Sequence, residues 1–495
     1  MVTVFPVPED KALIHYPARF VDPALAFAFG WNYWYSFAIT LTTEITAAGI
    51  MSTQLINQNC MGLWISAVLV SATAINFFRR RWFGEVEFIF AAIKLLTMVA
   101  SIVFGIIFLL GGRPDHDRIG FRYWISPGPF NQFNEIPGFI GRFLAFWSVL
   151  SQAAFTHQGT EIVALAALET ENPRKSIPIA IKTVLYRILI FYLGGMTVVG
   201  LLVPYTSSSL GTGARSGALS PFVIAFNSVH IPTLSMGVSI IAVMIISVFP
   251  VVNSHIYAGS KILHGLSSDD LAPLLFSRAP KWFSRYTSNG DQVAGIAITA
   301  VFGLLAYTSV AVGISQADTV YERFSKMSSI SVLMTWWSIL LTYIQFYHGV
   351  SRKVGIDRGM FAYQAPFQPW LSYFGFSMTT LIIIFNGFEV FLSHNWSTSK
   401  FISAYISLLI FPLGFIWSKI SQKTSFIKLD QMKLEEGRSD LNPLDVMEGE
   451  NDVNSVGKFH KFLHWVRKWY MSGWLKTGSN SSNELNQSQK ITALP

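Results

Sequence analysis

Four ionisable side chains stand where an apolar sequence has least use for them. Glu44 lies in TLTTEITAAG, Lys94 in FAAIKLLTMV, and His157 and Glu161 share the run AAFTHQGTEIVALA. An ionisable group deep in a membrane is expensive and marks a functional position by default. An isolated lysine there tends to lose its proton, whereas a facing carboxylate holds it charged. Lys94 and Glu44 are therefore read as groups able to move protons, with a purely structural pair, or side chains that reach the interface, as the alternatives. Other chemistry has no foothold: the chain shows no paired His/Asp metal motif, no nucleophile elbow and no P-loop. Neither catalysis nor a metal or cofactor is expected.

The segment 155–161, FTHQGTE, is the most informative. Gly159, flanked by Thr, Gln and His, is poor helix material in the centre of an apolar run. Irregular backbone at membrane depth survives only where it is enclosed by protein or lines a cavity. Carriers use such breaks to present half-helix ends and peptide groups to polar cargo near the midplane. Phe155, His157, Gly159, Thr160 and Glu161 are accordingly the candidate substrate contacts. Gly159 lets the backbone approach a ligand without a Cβ in the way. Glu161 is placed to cap free N–H groups or to accept a hydrogen bond from a gating partner. The competing reading is a polar stripe that packs helices together.

Elements must exist to hold these groups, and composition says which. Of 495 residues, 51% are apolar, 15% aromatic and 13% charged, and the mean hydropathy is +0.42. Soluble chains are about one-quarter charged, so a water-soluble enzyme, a disordered chain and a nucleic-acid binder are excluded despite the net charge of +8. A single cysteine, Cys60, forms no intrachain disulfide. Residues 1–23 lack the apolar core of a signal peptide. A helix crossing about 30 Å of hydrocarbon needs roughly 20 apolar residues. Ten stretches qualify: 24–55, 61–78, 86–110, 142–169, 184–203, 232–257, 293–313, 326–348, 370–392 and 400–420. The run 218–229 is too short to cross and reads as interfacial or re-entrant.

Basic loops stay in the cytoplasm. Arg79–Arg81, then Arg174 and Lys175, then Arg278, Lys281 and Arg285, then Arg352 and Lys353 fall on one side, against Arg215, Arg323 and Lys400 on the other. Both termini are expected in the cytoplasm, with residues 1–23 as a short leading segment, 24–421 as the membrane domain and 422–495 as a tail. The acid-rich 430–452 and the Ser/Asn/Gln-rich 480–495 read as disordered. Between them, KFHKFLHWVRKWYMSGWLK (458–476) reads as an amphipathic helix on an anionic lipid bilayer, or as an ordinary solvated segment.

Several runs together resemble the fungal amino-acid permeases of the amino acid–polyamine–organocation superfamily, over about 1–420. RFVDPALAFAFGWNYW (19–34), FGEVEFIFAAIKLL (83–96), GGRPDHDRIGFRYW (111–124), HQGTEIVALAALETENPRKSIPIAI (157–181) and NSHIYAGSKILHGLSSDDLAP (253–273) carry the likeness. The resemblance implies an all-α polytopic membrane protein with a LeuT-type inverted-repeat core. It places the ten spans at the family's helices three to twelve. Helices one and two, with the glycine-rich break that would bind the substrate carboxylate, then fall outside the chain. The family's break usually begins with Phe where His157 stands, which bears on side-chain preference. Lys94 matches a lysine implicated in proton coupling in related carriers.

The resulting expectation is proton-coupled uptake of an amino acid across the plasma membrane, impaired if helices one and two are absent. The alternatives are a nutrient-sensing homologue that does not transport, and a complete ten-helix carrier of another family. The expected partners are the amino-acid substrate, protons and the bilayer, with no nucleic acid.

Overall fold

The computed structural model of the chain describes residues 1, 13–55, 60–77, 80–112, 116–162, 173–207, 224, 235–268, 293–352, 361, 364–392, 396–432 and 434. Among them every regular element is helical. We label these α1 (His15–Phe20), α2 (Pro23–Leu55), α3 (Met61–Phe77), α4 (Arg80–Leu109), α5 (Arg122–Ile125) and α6 (Gly138–Thr156). Helix α7 runs from Pro173–Arg187 through a π-helical turn, Ile188–Gly194, into Gly195–Leu202. Then come α8 (Ser235–Ser268), α9 (Val293–Gly303, continued through a tighter turn to Tyr307–Ala311), α10 (Ile314–Arg352), α11 (Trp370–Ile384) and α12 (Thr398–Gln422).

Helix α2 is the axis of the bundle and starts from a built cap. The Asp22 carboxylate accepts the Ala24 N–H at 2.8 Å, and Pro23 fills the first helical position, where no donor is needed. Around α2 pack α3, α8, α9, α10 and α12. Its polar residues Asn32, Ser36, Thr40, Thr42, Thr43 and Thr46 are buried. Thr42, Thr43 and Thr46 donate to carbonyls one turn back, which satisfies them without water. Helix α10 does the same through Ser329, Ser331, Thr335, Ser338 and Thr342. Large apolar side chains instead crowd the outside of the bundle. Leu96 on α4 is 69% exposed, Phe139 on α6 82% and Ile420 on α12 72%. Small and polar residues inside with bulky apolar ones outside is the arrangement of helices packed in lipid.

Seven helical stretches among the described residues are long and apolar enough to cross a membrane: Phe88–Leu109, Gly138–Thr156, Ile179–Leu202, Val293–Ala311, Gln316–Arg352, Trp370–Phe391 and Thr398–Gln422. The ten expected from sequence include three more, in α2, α3 and α8. Helix α3 is apolar but has 17 residues. Helices α2 and α8 carry buried polar groups, on α8 including Asn253, His255 and Ser260. Protein encloses these two, so they need not be uniformly apolar.

Element ends also differ from the apolar stretches. The span expected at 184 begins at Pro173, the one expected to end at 257 continues to Ser268, and the one at 326–348 extends over Ile314–Arg352. Hydropathy marks only the part of a helix that meets lipid. The folded unit likewise exceeds 24–421: Ile14, Tyr16 and Phe20 before it, and Met432 and Leu434 after it, join one buried apolar cluster with Phe346 and Val350. The segments 435–452, 458–476 and 480–495, and 218–229 apart from Ile224, lie outside the described residues.

Candidate functional site

Helix α6 stops at Thr156, and the chain turns through His157–Glu161. Gly159 sits at φ +88°, in the left-handed region that favours glycine. A Cβ there would meet only Ile162 Cδ1, at 3.4 Å. Backbone conformation, not crowding by neighbours, is what calls for glycine.

Three helices hold the broken turn. Gln158 reaches between α2 and α10: its Oε1 accepts from the hydroxyls of Thr40, at 2.7 Å, and Ser328, at 3.1 Å, while Nε2 donates to the Ser36 carbonyl at 3.3 Å. Glu161 closes the turn on itself and ties it to α10. Its carboxylate accepts the Gly159 N–H at 3.3 Å and the Trp336 indole N–H at 3.1 Å. His157 Nδ1 donates to the Ala153 carbonyl at 2.9 Å, and its ring stacks on Tyr192 of α7 with centroids 4.6 Å apart. Thr160 turns its hydroxyl to Glu161 at 3.5 Å. Phe155 is half-buried in the last turn of α6, where its carbonyl accepts the Gln158 N–H at 3.3 Å.

The Tyr33 hydroxyl of α2 is buried, and the Glu161 carboxylate acts on it electrostatically. That hydroxyl has no hydrogen-bond partner among the described residues, and neither does the buried Asn32 Oδ1. Buried polar atoms are nearly always paired, so these two mark a place suited to a polar guest.

Comparison with known proteins shows the family to which the chain belongs. The profile of the amino acid permease family matches residues 1–431. The chain belongs to that family. It is 33% identical to the proline-specific permease of Emericella nidulans, over 92% of this chain and 80% of that protein. The dicarboxylic amino acid permease of Saccharomyces cerevisiae is 33% identical, over 90% of this chain and 74% of that one. The lysine-specific permease of the same yeast is 33% identical, over 92% and 72%. This permease is thus an integral membrane protein that moves amino acids, a transporter rather than an enzyme. A ten-helix carrier of another family is excluded.

In this permease, Lys94 and Glu44 do not form a direct ion pair. They act on each other electrostatically, and Arg187 of α7 is the other cation acting on Lys94. The side chains that sequence reasoning missed are Thr40, Gln158, Tyr192, Ser328 and Trp336. Gln158 stood inside the segment already singled out, and its polarity was the available signal. Trp336 and Tyr192 lie in apolar runs that look like ordinary helix, so no local signal marked them.

A small cavity of about 40 Å³, lined by Gln152, Lys326, Asn386 and Glu389 among others, lies between α6, α10, α11 and α12 and contains none of the break residues. Lys326 is paired there with Glu322 at 2.8 Å and with Glu389 at 3.5 Å.

Proposed function

We propose that this permease takes up an amino acid across the plasma membrane by proton coupling, with both termini in the cytoplasm. The observation that carries the reading is the left-handed break at Gly159, tied to α2 and α10 through Gln158 and Glu161. The amino and side-chain end of the substrate meets Phe155, His157, Gly159, Thr160 and Glu161. Glu161 is already engaged by Gly159 and Trp336, so it holds the shape of the turn while peptide groups contact the ligand. Lys94 and Glu44, neighbours without a direct bond, are the groups that exchange the coupling proton. The basic loops support the orientation.

The relatives named for proline, dicarboxylic amino acids and lysine are equally similar to this chain. Selectivity is therefore set by a few side chains, of which His157 is our first choice.

The test is uptake of a radiolabelled amino-acid mixture by the purified protein in liposomes with an inward proton gradient. Accumulation that collapses with a protonophore is expected, and Lys94→Ala should abolish accumulation while the protein still inserts. Uptake indifferent to the gradient would remove the proton-coupling claim. Absence of uptake would remove the transport reading of the break.

A further inference from the structure

The break carries one hydrogen-bond acceptor whose orientation is fixed by a neighbouring helix. His157 is half-buried at the end of α6. Its Nδ1 lies 2.9 Å from the Ala153 carbonyl oxygen and 3.0 Å from the Thr156 hydroxyl. A carbonyl oxygen only accepts, and Thr156 gives its own hydrogen to that same carbonyl at 2.8 Å. Nδ1 therefore carries the ring hydrogen. In a neutral imidazole the other nitrogen is then an acceptor. That nitrogen, Nε2, has no hydrogen bond among the described residues.

Helix α7 supplies what holds the ring in this state. Over Ile188–Gly194 it opens into a π-helical turn, a rare form that recurs at functional sites. Tyr192 stands in that turn. Its ring lies on the imidazole, 4.6 Å between centroids and 29° between planes, within the range of an offset aromatic stack. Its hydroxyl donates to the Thr156 carbonyl at 2.9 Å, at a helix end whose carbonyls lack intrahelical donors. Ring and hydroxyl thus grip two consecutive residues, Thr156 and His157. The stack restrains rotation about the histidine Cβ–Cγ bond, which would carry Nδ1 off the Ala153 carbonyl and move the free nitrogen with it.

We infer that Tyr192 is a positioning residue for substrate selection: it holds the His157 ring so that Nε2 accepts a hydrogen bond from the side chain of the transported amino acid. The class favoured is amino acids whose side chain carries an N–H or O–H donor, over isosteres that lack one. A side chain ending in a carboxylate has no hydrogen to give and meets a lone pair instead. This inference deepens the transport reading and rests on the break being the substrate site, but one of its two measurements needs neither transport nor binding.

The first measurement is competition by threonine and valine, an isosteric pair differing in one donor, for binding and uptake by the purified full chain in liposomes. It is made at mildly alkaline pH, where an ordinary histidine is neutral. The parent should prefer threonine about fivefold, the worth of one neutral hydrogen bond. His157→Phe should remove that preference. Tyr192→Leu, which keeps apolar bulk without ring or hydroxyl, should remove it too. Added to His157→Phe it should change nothing further, because the tyrosine acts through the imidazole. Tyr192→Phe, which keeps the ring, should retain most of the preference. The second measurement is a nitrogen NMR spectrum of histidine-labelled protein, in which His157 is the signal lost in His157→Phe. The parent and Tyr192→Phe should carry the hydrogen on Nδ1, and Tyr192→Leu should show a mixture of both tautomers.

The inference is overturned if the parent does not favour threonine, if Tyr192→Leu keeps the parent's preference, or if the His157 tautomer is the same without the tyrosine ring. A merely structural Tyr192 would lower the yield of folded Tyr192→Leu and leave both readouts as in the parent. A parent that neither binds nor transports an amino acid would strike the transport reading and the substrate class with it, while the tautomer would still decide the tyrosine's hold on the ring.

Discussion

At the scale of single residues, the break owes its shape to one backbone angle and a few hydrogen bonds. Gly159 at φ +88° has space for a methyl group but not the conformational freedom to carry one. Gly159→Ala therefore strains the turn by about 1–2 kcal/mol, which corresponds to roughly tenfold in substrate affinity. Equilibrium binding of a radiolabelled amino acid to purified protein measures this; unchanged affinity would place the substrate elsewhere. His157→Phe keeps an aromatic ring against Tyr192 but loses the Nδ1 contact with the Ala153 carbonyl. Transport should persist with an altered order of preferred amino acids, read by competition against one labelled substrate. An unchanged order would show that His157 does not line the side-chain pocket.

At the scale of elements, two kinds of helix contact build the bundle. Helices α2 and α10 meet through polar atoms, as when Asn32 Nδ2 donates to the Ser331 carbonyl at 2.8 Å and to Thr335 Oγ1 at 3.1 Å. Helices α8 and α9 instead meet with their backbones close together. A Cβ on Gly295 would lie 3.0 Å from both Cα and the carbonyl oxygen of Ser260. Backbone atoms cannot swing aside as a side chain can. Gly295→Val should push α8 from α9 and cost about 1–3 kcal/mol, seen as a lower thermal midpoint in detergent. A midpoint equal to that of the parent protein would mean that this crossing has slack.

At the scale of the whole molecule, the segment after α12 returns to the beginning of the chain. The fully buried Asp22 pairs with Lys419 and accepts the Thr424 hydroxyl at 2.7 Å. The Lys419 ammonium also sits over the Phe426 ring at 4.1 Å. The Ile427 N–H donates to the Val21 carbonyl at 2.9 Å, and Met432 and Leu434 bury themselves in the same cluster. Asp22→Ala removes the cap of α2 and leaves Lys419 without its carboxylate, a loss of about 3 kcal/mol. Trypsin should then cut at Lys423 and Lys428 faster than in the parent, while Asp22→Asn, which keeps an acceptor for Ala24, should show a smaller effect. Equal cleavage of all three proteins would show that the return segment is held by its apolar contacts alone.

What the sequence determined by itself is whatever depends on residues within a turn or two of each other. Apolar length located the helices that meet lipid, and FTHQGTE marked the break, because an unsolvated backbone has few alternatives to a continuous helix. The likeness of several runs to fungal permeases pointed to the family. Tertiary structure decided the partners. Thr40 and Gln158 are 118 residues apart, Glu161 and Trp336 are 175 apart, and Asp22 and Lys419 are 397 apart. Such contacts form only when helices dock, so no local pattern chooses Gln158 over Thr160 as the residue that bridges α2 and α10. Nor does any local pattern show that Lys94 and Glu44 stand near each other without a direct bond. Apolar length also counted α2 among the spans, and only the docking of its neighbours shows that protein encloses it and that its threonines are satisfied internally.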